Sequence, residues 1–382
     1  MTAMDFTPTE TQTMLHDAVA AFLNDRHGFA ARQERRRAGV FHDPLFWGEV
    51  AALGLLGIEI DEEHGGSGGG FEEMAVVLEL LGAALVVEPF IPSVVVAAGL
   101  IGELGTTAQK RTWLAGIANG SLIAALAHGE RAARHAVGFV ATQATPRGDG
   151  WRLDGAKAVT WGADVADLLL VSARTSGAPG DRDGIALFAL PHNTPGLTIG
   201  AYRLYDGSGA ADLVLDGVLV DADARLGGKA SVLPAIEHAY DRGAAAVAVE
   251  AIGAMQRLRD VTLDYLKTRR QFGRPLGDFQ VLQHRMVDLH MAVEIARSMA
   301  LSAVVAIVGE VGTARAAKIS AAKAAVGEAA REVGQMAVQL HGGIALTEEY
   351  AVGHYFKRLT MIERQFGSVD HHVERYARLM VA

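Results

Sequence analysis

There is no cysteine among the 382 residues of this chain. Disulfides, thiolate metal sites, iron–sulfur clusters and a catalytic thiol are therefore excluded. Charge is sparse as well: 21% of residues are charged and 50% are hydrophobic, a balance that excludes a disordered chain. There is no cationic excess. Thirty-five Lys+Arg against 44 Asp+Glu leave a net charge of -9, and no Lys/Arg stripe is visible, so no nucleic-acid partner is expected. The first residues lack the basic segment and continuous apolar run of a signal peptide. The longest apolar runs, such as 299-MALSAVVAIVG-309, fall short of the roughly 20 residues a membrane span needs. The expectation is a cytoplasmic protein with no membrane partner. No metal is expected, because the 14 histidines, including His284, His290, His371 and His372, show no H-E-x-x-H or comparable spacing. A G-x-S-x-G elbow is missing, and so is a G-x-G-x-x-G following a strand.

What is present reads as helix, then strand, then helix. Residues 5–31 place Phe6, Met14, Leu15, Val19, Phe22 and Leu23 at helical spacing, and His42-Asp43-Pro44 marks a second helix start. Gly65–Gly70 is a glycine-rich loop without a lysine and reads as a mobile turn rather than a phosphate cradle. Residues 71–118 return to helical patterns. Between 121 and 230, short apolar runs are punctuated by turn signals such as Asp154-Gly155 and Asn193–Gly196, which predicts a compact β-domain. From 233 onward, segments 234–268, 279–308 and 311–340 each carry an apolar face of helical period. Three long helices and a shorter terminal one predict an up-down bundle. The domains expected are thus 1–120, 121–232 and 233–382.

Two segments carry chemical information. In 269-RRQFGRPLGDFQVLQHR-285, arginines cluster at a joint between two long helices, and a planar guanidinium suits phosphate oxygens. In 339-QLHGGIALTEEY-350, paired glycines either let backbone N–H groups approach a ligand or simply end a helix. Together, Arg-x-Gln-Phe-Gly ahead of Phe279-Gln280 and Gln-Leu-His-Gly-Gly with Glu349-Tyr350 resemble the C-terminal signatures of the acyl-CoA dehydrogenase family, and the resemblance spans nearly the whole chain. The Gly65–Gly70 loop and 269-RRQFG-273 look most like the small subunit of pimeloyl-CoA dehydrogenase.

That resemblance implies a mainly α, α+β fold: an N-terminal helical domain, a middle β-barrel-like domain and a C-terminal four-helix bundle. It implies FAD as cofactor, an acyl-CoA substrate, a dimer or tetramer, and electron-transferring flavoprotein as electron acceptor. It places Arg269 and Phe272 against a partner subunit's FAD, and Gln339, Gly342 and Gly343 facing its pyrophosphate. The segment 126-LAHGE-130 stands at a flavin motif, with Leu126, His128 and Gly129 toward the ring. In 157-KAVTWGA-163, Thr160 and Trp161 match the next flavin-facing strand. Val159 stands where a Trp is usual, and Trp161, two positions on, keeps the same face if the strand is regular. Ser368 and Asp370 match positions touching the FAD adenosine.

The family reaction needs a carboxylate to remove the α-proton and donors to stabilise the enolate. The position of that carboxylate aligns with Phe366, and the family's alternative position aligns with Gly243 in 240-YDRGAAAV-247. Asp241, Arg242 and the tandem His371-His372 are the remaining candidates for a catalytic group. The reading that follows is a subunit of a heteromeric acyl-CoA dehydrogenase lacking the usual Glu, paired with a second acyl-CoA dehydrogenase-like chain. A flavin-dependent homo-oligomer with another base or reaction is one alternative. A structural or acyl-CoA-binding partner subunit is the other.

Overall fold

A computed structural model describes residues 7–228 and 230–381, so Phe6 lies outside the described residues. The first helical stretch is two helices, α1 (Glu10–Arg26) and α2 (Phe29–Arg37), because Gly28 takes an extended conformation between them. A capping box of Thr9 and Gln12 starts α1. Asp43 accepts from the Leu45 and Phe46 N–H groups at the head of α3 (Pro44–Ala52), as the His42-Asp43-Pro44 signal predicts. The glycine loop that follows is not mobile. Its backbone is laced onto residues 57–61 through Gly66 N–H to Asp61 O, Ser67 N–H to Gly57 O, Gly68 N–H to Ile60 O and Gly69 N–H to Ile58 O. A Cβ at Gly66 would lie 1.9 Å from Ile60 O, so close backbone approach accounts for this glycine. The domain continues through α4 (Phe71–Ala83), a π-helical turn at Ile91–Ala97 that runs into α5 (Ala98–Leu104), and α6 (Thr107–Ala118).

The middle region is one sheet built from β1 (Ala124–Ala127), β2 (Gln143–Arg147), β3 (Gly150–Trp161), β4 (Leu168–Arg174), β5 (Ile185–Pro191), β6 (Leu197–Arg203), β7 (Gly209–Val220) and β8 (Arg225–Leu226). Strand order is β6-β7-β3-β2-β4-β5-β8, with β1 pairing in parallel with β4. All of β4 and nearly all of β5 are buried, which explains their unbroken apolar runs.

The last region holds α7 (Leu233–Thr268), a hairpin of β9 (Arg270–Gln271) and β10 (Arg274–Pro275), then α8 (Gln280–Gly309), α9 (Gly312–His341), α10 (Ala351–Arg364) and α11 (Val369–Val381). Where the pattern predicts one short terminal helix there are two. The chain breaks at Gln365–Ser368, where Phe366 has φ 56° and Gly367 φ 116°. One side of α8 is buried through Leu289, Val293, Ala296, Ala300 and Ala303, while Val281, Val287, Met291 and Ile295 are exposed. With its 30 residues, α8 is the one helix among the described residues long and apolar enough, by length and composition, to cross a membrane. Counting only uninterrupted apolar runs misses this, because the polar residues are spread along it.

A buried charge cluster ties the three regions together. Arg358 on α10 makes two 2.6 Å bonds to the Glu250 carboxylate on α7 and one of 2.7 Å to Asp206, in the turn before β7. Arg32 on α2 reaches the Asp206 carbonyl at 3.4 Å. Isolated charges at this depth cost several kcal/mol each, so the bidentate pairing is what makes the burial tolerable.

Candidate functional site

Two joined cavities lie where the sheet meets the bundle. The inner one, a chamber of 430 Å³, is walled mainly by apolar groups, among them Pro92, Val96, Leu126, Val159, Trp161 and Met361. The outer one, a funnel of 750 Å³, has a charged rim: Arg182, Arg375 and Arg378 stand against Glu237, Asp370 and Glu374. Residues 133–137, Tyr240 and Phe366 line both, and so form the throat between them.

Strain concentrates here. Five non-glycine residues have positive φ among the described residues, and three of them, Arg134 (50°), Val159 (52°) and Phe366 (56°), line the chamber. Such conformations cost of order 1–3 kcal/mol each and persist only where the surroundings enforce them. At Val159 the enforcing element is a β-bulge. Lys157 pairs with Leu213 and Thr160 with Ala211, so β3 has one residue more than β7, and the Val159 N–H bonds Asp212 Oδ1 at 2.9 Å. The bulge displaces the register with β7, yet the face shared by Val159 and Trp161 that the sequence suggests is kept. Val159 and Trp161 both line the chamber, whereas Thr160 is buried outside its lining with a hydroxyl that has no partner among the described residues.

Behind the chamber wall lies a closed polar network. Lys157 Nζ is 2.7 Å from Glu130 Oε1 and donates to Ser172 Oγ at 3.0 Å. Glu130 also accepts from Thr142 Oγ1 at 2.7 Å and from the Ala141 N–H at 2.8 Å. Burial alone would raise the Glu130 carboxyl, but Lys157 and these donors hold it below the usual range. Burial pushes the Lys157 ammonium down to about 8 despite Glu130. His128 spends both ring nitrogens, at 2.8 Å from Ser172 Oγ and 2.8 Å from the Val137 carbonyl, and burial beside Lys157 pulls it down to about 4. It is a neutral wall residue. Among the residues lining the chamber, Glu130 is the one carboxylate, and its oxygens are committed to this network.

The opposite wall is the α10–α11 break. The Phe366 ring lies on α7 at Gly243, where a Cβ would meet ring carbons at 2.5, 2.6 and 2.8 Å. Tyr240, one turn earlier, meets Phe366 edge-on at 5.7 Å and His128 edge-on at 5.5 Å. The two positions aligned with a family carboxylate are thus in contact, and the space between them is filled by an aromatic ring. Lys323 on α9 clamps the loop from below, donating to the Glu363 and Gly367 carbonyls at 3.1 Å each, and its burial pushes the ammonium down to about 7. His372 bonds the Phe366 carbonyl at 3.0 Å.

Leu126, His128, Gly129 and Trp161 line the chamber. Ser368 and Asp370 line the funnel, and the Ser368 hydroxyl accepts the His371 N–H at the start of α11. Asp241 is buried between Arg315 and Arg375, 3.3 and 2.7 Å away, and Arg242 pairs with Glu59 at 2.7 Å; neither lines the chamber. His371 faces the funnel against His135, and burial takes it down to about 4, while burial and Lys323 take His372 to about 2. Arg269, Phe272, Gln339, Gly342 and Gly343 stand away from the chamber, at the outer edge of the bundle. Phe272 is 90% exposed, and Gly342, with φ 67°, ends α9 in open space. Sequence reading gave no role to Tyr240, Lys157 or Lys323. A single lysine inside the Ala-rich run 319-ISAAKAAVGEAA-330 is the signal that points to the last of these.

Comparison with known proteins gives concordant matches along the chain. Family profiles described as the N-terminal, middle and C-terminal domains of acyl-CoA dehydrogenase match residues 9–121, 125–218 and 233–380. Acyl-CoA dehydrogenase FadE12 of Mycobacterium tuberculosis is 32% identical over 363 residues, covering 92% of this chain and 91% of the relative. Among solved structures, the Tcur3481–Tcur3483 steroid ACAD variant superposes with a TM-score of 0.85 at 31% identity over 97% of this chain and 98% of its own. The ChsE4–ChsE5 complex from Mycobacterium tuberculosis superposes with a TM-score of 0.88 at 27% identity over 99% of each chain.

Proposed function

The chain belongs to the acyl-CoA dehydrogenase family, which couples FAD to the α,β-dehydrogenation of acyl-CoA thioesters, and from that premise we propose that it is the subunit of a heteromeric enzyme that lacks the usual base. The observation that carries the reading is the filled contact between Phe366 and Gly243 beside a chamber whose one carboxylate, Glu130, is bonded away. A carboxylate able to take the α-proton has to come from elsewhere, and a second chain of the same fold is the source proposed. The arginine and phenylalanine of 269-RRQFG-273, exposed at the outer edge, suit that second chain, in line with the resemblance to pimeloyl-CoA dehydrogenase small subunits. Two structural neighbours, Tcur3481–Tcur3483 and the ChsE4–ChsE5 complex, each carry two named components, which supports pairing of unlike chains.

The residues present fit the flavin ring system. The ring needs a flat apolar slot with backbone close by, and Leu126, Val159 and Trp161 supply the apolar faces. At Gly129 a Cβ would meet the Ala158 carbonyl oxygen at 3.1 Å, so the glycine keeps that edge open to backbone contact. Bound FAD supplies the acceptor for the β-hydride. This chain's contribution is to enclose the acyl group in the 430 Å³ chamber, exclude water from it, and present the Phe366 N–H, which takes part in none of the loop's backbone bonds, to a thioester oxygen. Electron-transferring flavoprotein is the proposed electron acceptor, and a dimer or tetramer the proposed assembly.

The test is turnover of an acyl-CoA with an artificial electron acceptor. The purified chain alone is expected to be inactive, and the chain co-purified with a Glu-bearing family member active. Full turnover by the chain alone would overturn the reading.

A further inference from the structure

Tyr240 stands at the throat, lining both the chamber and the funnel. Its ring is fixed by two edge-on contacts, to His128 on one side and Phe366 on the other. Its hydroxyl finds no hydrogen-bond partner among the described residues, while its ring packs on the core as well as on His128 and Phe366. The hydroxyl is not among the buried side-chain atoms left without a partner, so it is reachable and free to donate. The open direction for this one is the cavity. Burial raises the hydroxyl well above the usual phenol range, so it remains protonated across the working pH and acts as a donor rather than as a base.

The two cavities differ in what they hold. The chamber is walled mainly by apolar groups, with Arg131, Arg134, His135 and Arg364 also on its lining, and the funnel rim carries charges of both signs, so a ligand spanning them fits with its apolar part inside and its polar carrier outside. In an acyl thioester the junction of those parts is the thioester itself, and its carbonyl is an acceptor. We propose that the Tyr240 hydroxyl donates a hydrogen bond to the thioester carbonyl of the bound acyl-CoA, beside the Phe366 N–H, and thereby makes this subunit discriminate thioesters from carriers that lack the carbonyl. The proposal rests on the acyl-CoA reading above and adds a ligand-contacting residue to it.

The test pairs two ligands with one conservative change. Affinities of the full-length protein, co-purified with its partner where one is found, are measured by calorimetry for hexanoyl-CoA and for S-hexyl-CoA, the thioether without the carbonyl. One neutral hydrogen bond is worth about 1 kcal/mol, so Tyr240→Phe is expected to weaken hexanoyl-CoA about 5-fold and to leave S-hexyl-CoA within about 2-fold. Tyr240→Leu, which also removes the ring between His128 and Phe366, is expected to weaken both. If the unaltered protein binds both ligands and Tyr240→Phe changes both equally or neither, the Tyr240 proposal fails while the acyl-CoA reading stands. If the unaltered protein binds neither ligand, the acyl-CoA reading fails and takes the Tyr240 proposal with it.

Discussion

At the throat of the chamber, Phe366 rests on Gly243 and Tyr240 bridges Phe366 to His128. At the outer edge of the bundle, Phe272 is 90% exposed with φ 53°, Leu346 is 77% exposed, and a Cβ added at Gly342 or Gly343 would meet nothing within 4 Å. Both regions hold a phenylalanine in the left-handed region, a strain that needs enforcement. At the throat this chain provides it: Lys323 bonds the loop's carbonyls, His372 bonds that of Phe366, and α7 receives the ring. At the edge the enforcement is only local, through the β9–β10 pairing and the Phe279 ring 6.2 Å from Phe272, and the apolar surface is left open. A region enclosed by this chain and a region it leaves exposed are thus distinguished by burial, although both hold residues that the family resemblance singles out.

The contrast can be broken by mutation. The largest effect is expected on the self-contained side. Arg358→Met leaves Glu250 and Asp206 buried without their cation, and should cost about 3–5 kcal/mol in denaturant unfolding. A loss below about 1 kcal/mol would mean water reaches the cluster.

Acid is the next probe. His128 and His372, flanking the chamber, titrate in the fold at about 4 and about 2 from an ordinary 6.5. Between those values the unfolded chain binds more protons than the folded one. Stability should therefore be fully present above pH 6.5 and fall as pH drops toward 4, by about 1.4 kcal/mol per pH unit for each ring. Replacing His128 with Asn should remove its share of that slope and leave that of His372; an unchanged slope would place the acid sensitivity elsewhere.

Gly243→Ala sharpens the comparison at one contact. Its Cβ would fall 2.5 Å from the Phe366 ring, so a cost of about 1–3 kcal/mol is expected. With Phe366→Leu in place the same change should be neutral or stabilising by up to about 1 kcal/mol, since alanine is the better helix former. Additive effects would show that the ring does not rest on the helix. The smallest effect belongs to the outer edge. Phe272→Ala should change chain stability by less than about 0.5 kcal/mol while weakening assembly in sedimentation. Unfolding cooperativity lost with that ring would indicate that the edge supports its own domain.

Much of this was legible in residue order. Helices 234–268, 279–308 and 311–340 emerge within a residue or two as α7, α8 and α9, because long apolar periodicity is a strong signal. The resemblance pointed to both Phe366 and Gly243, but not to their mutual contact, which joins residues 123 positions apart through a loop conformation that no periodicity encodes. The Gly65–Gly70 loop misled for a related reason: its glycines suggest freedom, while their backbone is bonded to residues 57–61.

Composition and motif order alone determined the three-part architecture, the family, and the absence of thiol chemistry, because these depend on periodicity and on which residue types occur at all. Only the tertiary structure decided what the site is. The extra residue in β3 ties the Val159 N–H to Asp212 and sets Val159 at positive φ, the ion pair with Lys157 takes Glu130 out of proton chemistry, and the packing of α7 against the α10–α11 break sets Tyr240, its hydroxyl without a side-chain partner among the described residues, at the throat. Each of these depends on which distant groups share a few ångströms, and that is set by packing rather than by sequence spacing.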